Sequence, residues 1–302
     1  MGQMAIAEAV PPAFTAGGLL RGWGFEPLVI IPVIAAAGLY LAGFSRVRRQ
    51  PRPLFPAYRA WAFLASLLVL VIAVDGPFDT YADVDLAVHM GQHLLLLGLV
   101  CPLAVLGAPV TLALRAATPR ARSGFVVPVL HSRVAHALTR PWVVGVLYAG
   151  DLVATHFTGL YNLALADPYI HDLEHLSYLV TGVLLWGVIL GVEPVRQKPG
   201  FGARIMLVVL LMPVMAIISL VFILASHPLY PYYTTLPPPW GGAAHVMANQ
   251  ALAGAIMWIP SSFISLAAVF YVAVEWFKKD EARQARLEAL EDAARRPAGR
   301  QA

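Results

Sequence analysis

Histidine is the side chain in this sequence best placed to do chemistry, and its spacing is uneven. His89 and His93 are four residues apart, and so are His171 and His175, with His156 between the two pairs. On a helix, residues i and i+4 share a face, about 6 Å apart along the axis. A buried imidazole needs hydrogen-bond partners or a metal, because leaving it unpaired away from water is costly. Any one of these histidines also reads as a wetted interface residue or a hydrogen-bonded packing residue. Two pairs and a fifth residue at matching depth point instead to a metal site, since imidazole is the commonest metal ligand. His131, His136, His227 and His245 fall in connections and carry no such pattern.

Methionine suggests which metal. Met90 adjoins His89, and Met247 opens the last apolar run, with Met257 deeper in it. Thioether and imidazole together suit copper, Cu(I) above all, whereas zinc sites prefer Cys, His and carboxylate. Met90 is turned about 100° from His89 around the helix, which also suits core packing, the reading given to Met206, Met212 and Met215. The single cysteine, Cys101, lies about 18 Å deeper than His89 and reads as a packing residue. Asp151 falls inside an apolar run about one and a half turns from His156, where an ionisable residue is a functional candidate and a second-shell partner for a histidine. Asp75, Asp79, Asp83 and Asp85 precede His89, where they attract cations or form an ordinary solvated turn.

The elements that must position these side chains are membrane helices. The 302 residues are 59% hydrophobic and only 13% charged, with a mean hydropathy of +0.70; a soluble domain carries about 25% charge. Apolar runs at about 27–44, 60–74, 86–106, 141–160, 170–190, 203–226 and 247–276 predict a seven-transmembrane-helix bundle, all-α. The expected division is an external segment 1–26, a membrane domain 27–276 and a charged cytoplasmic tail 277–302. With the N-terminus outside, every Lys and Arg except Arg21 falls on the inner side, which sets the C-terminus in the cytoplasm. That placement explains the net charge of +4 without nucleic acid. It also brings the five histidines toward the outer face. The Pro- and Tyr-rich loop 226–245 reads as an interfacial aromatic belt, a lid over a site being the sharper alternative.

Several motifs carry a resemblance. His-Met-Gly-Gln-His-Leu-Leu-Leu (89–96), Leu-Gly-Ala-Pro-Val-Thr-Leu (106–112), Thr-His-Phe-Thr-Gly-Leu-Tyr (155–161), His-Asp-Leu-Glu-His-Leu-Ser-Tyr (171–178) and Ala-Gly-Ala-Ile-Met-Trp (253–258) occur in that order. Together they resemble the CtaG-type, caa3-oxidase class of cytochrome c oxidase assembly factors, over most of the chain. The resemblance implies a seven-span, multi-pass protein of the bacterial plasma membrane that helps deliver copper to the haem–copper oxidase. Its recurrent histidines match His89, His93, His156, His171 and His175. Where the family often has Asp-Gln before the last Ala-Gly, this chain has Asn249-Gln250. The expected role is that of a metallochaperone rather than an enzyme, with an oxidase subunit as recipient, an external copper donor protein and the lipid bilayer as partners. Two alternatives stand beside it: a copper transporter, and a b-type haem or quinone electron carrier. Haem needs axial ligands facing one another across the macrocycle, and transport wants polar residues through the inner half, which is nearly bare.

Overall fold

The computed structural model describes residues 23–50, 55–194 and 198–295, with Pro11 and Gly17. Most of the expected external segment 1–26 therefore lies outside the described residues. No strand occurs among the described residues, as expected for a chain whose backbone must satisfy itself away from water. The main helices are α1 (Pro27–Arg48), α2 (Ala57–Val74), α3 (Pro77–Ala82), α4 (Leu86–Leu95), α5 (Cys101–Leu106), α6 (Pro109–Ala116), α7 (Pro141–Phe157), α8 (Leu160–Ala166), α9 (Pro168–Leu190), α10 (Phe201–Leu224) and α11 (Ala243–Arg295).

Six helical stretches are long and apolar enough to cross a membrane. The sequence predicted seven. The difference is at 141–160, where α7 and α8 form a pair bent by 66°; counting that pair as one span restores seven. The short second run gains its length because α3 follows α2 almost directly, giving Ala57–Ala82. At the other extreme, α11 runs 53 residues without a break, so the charged tail continues the last apolar helix.

Burial separates the centre of the bundle from its rim. Only 6% of the α1 window is buried, against 44% for Leu86–Ala116 and 50% for α9. Leu28, Ile31, Ile34 and Leu39 accordingly point outward from α1, which is tolerable only if the surrounding solvent is apolar. Helices α10 and α11 approach closely at Gly254, where a Cβ would lie 2.7 Å from the Ser219 carbonyl. The core changes character along its length. At one end Tyr81, Tyr161, Tyr178, Tyr230, Tyr233 and Trp240 pack together; at the other it is mainly aliphatic, with Val105, Leu185, Ile189, Leu207 and Val272.

Between α4 and α5 the chain makes a π-helical turn, Leu96–Val100. The Cys101 N–H reaches back to the Leu96 carbonyl, and Pro102, next in line, has no N–H to give. The helix stays continuous while one extra residue is absorbed.

At the aliphatic end, buried Arg204 donates to the Ile189 carbonyl at 2.7 Å and to the Glu275 carboxylate at 2.9 Å, tying α9, α10 and α11 together. Glu193 accepts from Val110 N, Thr111 N and Thr111 Oγ1 at the N-terminus of α6, where a carboxylate meets unpaired N–H groups. At the aromatic end, Gln250 accepts from Leu229 N and donates to the Phe222 carbonyl, anchoring the long loop to α10 and α11. Asn249 accepts from Ala87 N at 3.1 Å, in the first turn of α4.

Candidate metal centre

Three helices position the histidines. His89 and His93 stand one turn apart on α4, whose start is fixed by Asp85 accepting from Val88 N at 2.9 Å. His171 and His175 stand one turn apart on α9, started by Pro168 and the Asp167 cap on Tyr169 N. His156 sits in the last turn of α7. All five come together at the aromatic end of the core. Ring centroids are 4.4 Å apart for His89–His93, 4.2 Å for His171–His175, 5.1 Å for His89–His171 and 5.5 Å for His93–His175. His156 stands a little apart, 6.4 Å from His93.

The tightest set includes a residue that the sequence reading passed over. One ligand atom each from His89, His93, His171 and Glu174 lie within 4.8 Å of one another. The signal was His171-x-x-Glu174, an i,i+3 pair on the same face of α9, hidden by its neighbour Asp172. His89, His93, His156, Glu174 and His175 are all buried, and His171 half-buried.

Their polar atoms are poorly used by the protein itself. His89 Nε2, both nitrogens of His93, His156 Nε2, His171 Nε2, His175 Nε2 and Glu174 Oε2 are buried without a hydrogen-bond partner. Most buried polar groups in folded proteins are paired, so this many orphans converging on one space is unusual. The other ring atoms hold the imidazoles in place. His156 Nδ1 meets the Leu152 carbonyl at 2.9 Å, and His89 Nδ1 meets the Ala82 carbonyl at 3.4 Å. Glu174 Oε1 accepts from the Tyr178 hydroxyl at 3.2 Å, and that hydroxyl also meets Thr155 Oγ1 at 2.5 Å. Such a set, with oriented rings and free lone pairs beside one carboxylate, can coordinate a cation.

The remaining predicted site residues lie differently. Met90 is buried in the aromatic core cluster. Met247 is half-buried in the second turn of α11. Asp151, expected to steady a histidine, instead accepts from Ser177 Oγ at 2.9 Å and Thr181 Oγ1 at 2.8 Å, locking α7 to α9. His227 is exposed in the loop after α10, and His245, expected in a connection, is exposed in the first turn of α11.

The Pro- and Tyr-rich loop does not splay outward as a belt. Tyr230 stacks on Tyr161 with centroids 4.0 Å apart and donates to the His156 carbonyl at 3.1 Å. Tyr233 meets the Tyr161 hydroxyl at 3.0 Å. Each ring buries an apolar body while its hydroxyl finds a partner, which a lipid-facing position would not offer. The loop thus roofs the histidines.

A groove lined by Glu26, Asp79, Asp83, Asp172 and Tyr232 opens beside this roof, and His171 is the one histidine of the cluster on its wall. Burial raises the Asp83 carboxyl above its ordinary range, an effect opposed by the neighbouring His171.

The described residues form an all-helical bundle with six candidate membrane-spanning helices that gathers histidines and a carboxylate at one end, the class of a polytopic helical membrane protein. Residues 38–279 match the cytochrome c oxidase caa3 assembly factor family, Caa3_CtaG, and the chain belongs to it. It is also 28% identical over 266 residues to an uncharacterized protein of Mycobacterium leprae, covering 85% of this chain and 40% of that one. Uncharacterized proteins of Mycobacterium bovis and Mycobacterium tuberculosis are 27% identical over 282 residues, covering 91% of this chain and 42% of theirs. The chain thus spans about two fifths of the length of the curated relatives it matches. No solved structure matches it.

Proposed function

We propose that this chain is a seven-span protein of the bacterial plasma membrane, N-terminus outside, that captures copper as Cu(I) at its outer face and passes it to a cytochrome c oxidase subunit during assembly. The observation that carries the reading is the convergence of ligand atoms from His89, His93, His171 and Glu174 within 4.8 Å. Family membership supplies the oxidase. The Lys/Arg distribution supports the orientation, and the outer face is where an external donor protein could deliver the ion.

Charge favours the monovalent ion. Three neutral imidazoles and one carboxylate around Cu(I) sum to zero, whereas a divalent ion leaves an uncompensated charge in a dry interior, which is expensive. His175 and His156, adjoining the set, supply the next ligands for an ion that must be handed on. No substrate bond is made or broken in this role, so the protein acts as a metallochaperone and not as an enzyme.

The test is metal analysis of the purified protein beside His93→Ala and His131→Ala variants. The wild type and His131→Ala should hold copper and show no haem absorbance; His93→Ala should lose the copper. Equal copper in all three sinks the assignment.

A further inference from the structure

We propose that a groove at the end of the bundle away from the histidines binds an anionic phospholipid, one acyl chain lying in the groove and the phosphate held by Lys198 and Arg140. The inference goes beyond the copper reading and uses none of the cluster residues.

The groove has a volume of about 270 Å³ and lies between α5, α6, α9 and the connections before α7 and after α9. Ala104, Val110, Leu138, Val183 and Leu184 supply apolar walls. Gly187 also lines it, twelve residues past His175 and so about 18 Å further along α9. Val105 and Val188, on the same walls, belong to the aliphatic part of the core.

Shape and surroundings favour a hydrocarbon chain. Val180, Val183 and Gly187 fall along one side of α9, and both valines are exposed. A Cβ at Gly187 would meet nothing within 4 Å, so the helix surface is open there. From Gly191 to Val183, both lining residues, the helix rises about 12 Å. An occupant of that length with no polar partner along it is a chain of methylenes, and lipid is the solvent that exposed apolar helix faces meet in a membrane.

The mouth of the groove is basic. Gly191 ends α9 with φ 59°, and the Lys198 ammonium donates to its carbonyl at 3.0 Å. Gly191 and Pro199 both line the groove, which sets Lys198 at its edge. Arg140 directly follows Thr139, another lining residue, and has a contact with His136 Nε2 at 3.4 Å. Both cations are exposed, and the ion pairs among the described residues, Arg204–Glu275 and Lys279–Glu275, involve neither. The acid on the wall, Glu193, is already committed. Both its oxygens accept from the first turn of α6. A phosphate arriving here meets two cations without acidic partners and no free carboxylate. Basic residues at a membrane surface favour anionic over neutral headgroups by roughly fivefold each.

The experiment is native mass spectrometry of the full chain in detergent, with phosphatidylglycerol and phosphatidylcholine of identical chains offered in competition. The wild type should retain one phosphatidylglycerol in preference to phosphatidylcholine. Lys198→Ala/Arg140→Ala, two exposed changes that leave the core packing intact, should lose the preference by roughly fivefold per residue. Gly187→Phe, which fills the groove, should lose the bound lipid altogether. Equal retention of the two lipids by the wild type overturns the proposal. So does an unchanged preference in the double variant, or a dimer of this chain in place of a lipid adduct. Copper content is expected to stay at the wild-type level in the double variant, so the outcome is separate from that of the metal analysis.

Discussion

Trp186 donates its indole N–H to the Leu97 carbonyl at 2.7 Å, and that carbonyl has no helical donor of its own. Its usual partner, the Cys101 N–H, goes to Leu96, and the next residue is Pro102. The bond crosses from α9 to the π turn just below His93. Trp186→Phe should therefore leave a buried carbonyl unsatisfied and cost about 1–3 kcal/mol. Thermal unfolding in detergent reads this directly. A melting temperature equal to wild type would mean that water or another donor satisfies Leu97.

Glu174→Gln keeps the shape of the cluster and removes its only negative charge. Cu(I) affinity should fall on the order of 10²-fold, taking one of four ligands as about a quarter of the ~10–16 kcal/mol typical of a tight structural site. A chelator competition measures the change. Unaltered affinity would place the ion on histidines alone and exclude the carboxylate.

That glutamate also shows how far the sequence could be read. The five histidines were legible because i,i+4 spacing and alternating helix direction are periodic properties, visible without coordinates. The span from Pro141 was legible as apolar but not as bent, since the 66° break falls at Thr158 and Gly159 without a proline to announce it. Asp151 was legible as an odd residue in an apolar run. Its partners Ser177 and Thr181 were not, because they lie 26 and 30 residues away on another helix. The inward fold of the Tyr230 loop depends on hydroxyl partners, and composition carries no information about them.

Topology gives a separate check. A reporter fused after Ala302 should read cytoplasmic, and one inserted in the exposed stretch near Thr234 should read external. Two reporters on the same side would mean that α11, the one long helix between them, does not cross the membrane.

The role in assembly predicts a copper-sensitive phenotype. Deleting the gene should leave oxidase protein in the membrane with low activity per unit of protein, and added external copper should restore it, since mass action substitutes for delivery when the ion is abundant. Activity across a copper series is the measurement. Normal activity at low copper would contradict the assembly role, and a loss that copper never repairs would point to electron transfer or a structural role.

The π turn has a consequence for angular phase. From His89 to Val105 is 16 steps along the chain. An uninterrupted α-helix would turn those ends about 160° apart, nearly onto opposite faces. Absorbing one residue in Leu96–Val100 brings the offset down to about 60°. His93, Leu97 and Cys101 consequently all meet α9, at His175, Gly182 and Leu179. Deleting a single residue from that turn would leave every side chain present and unchanged, yet swing either the histidine stripe or the Cys101 stripe away from its partner helix.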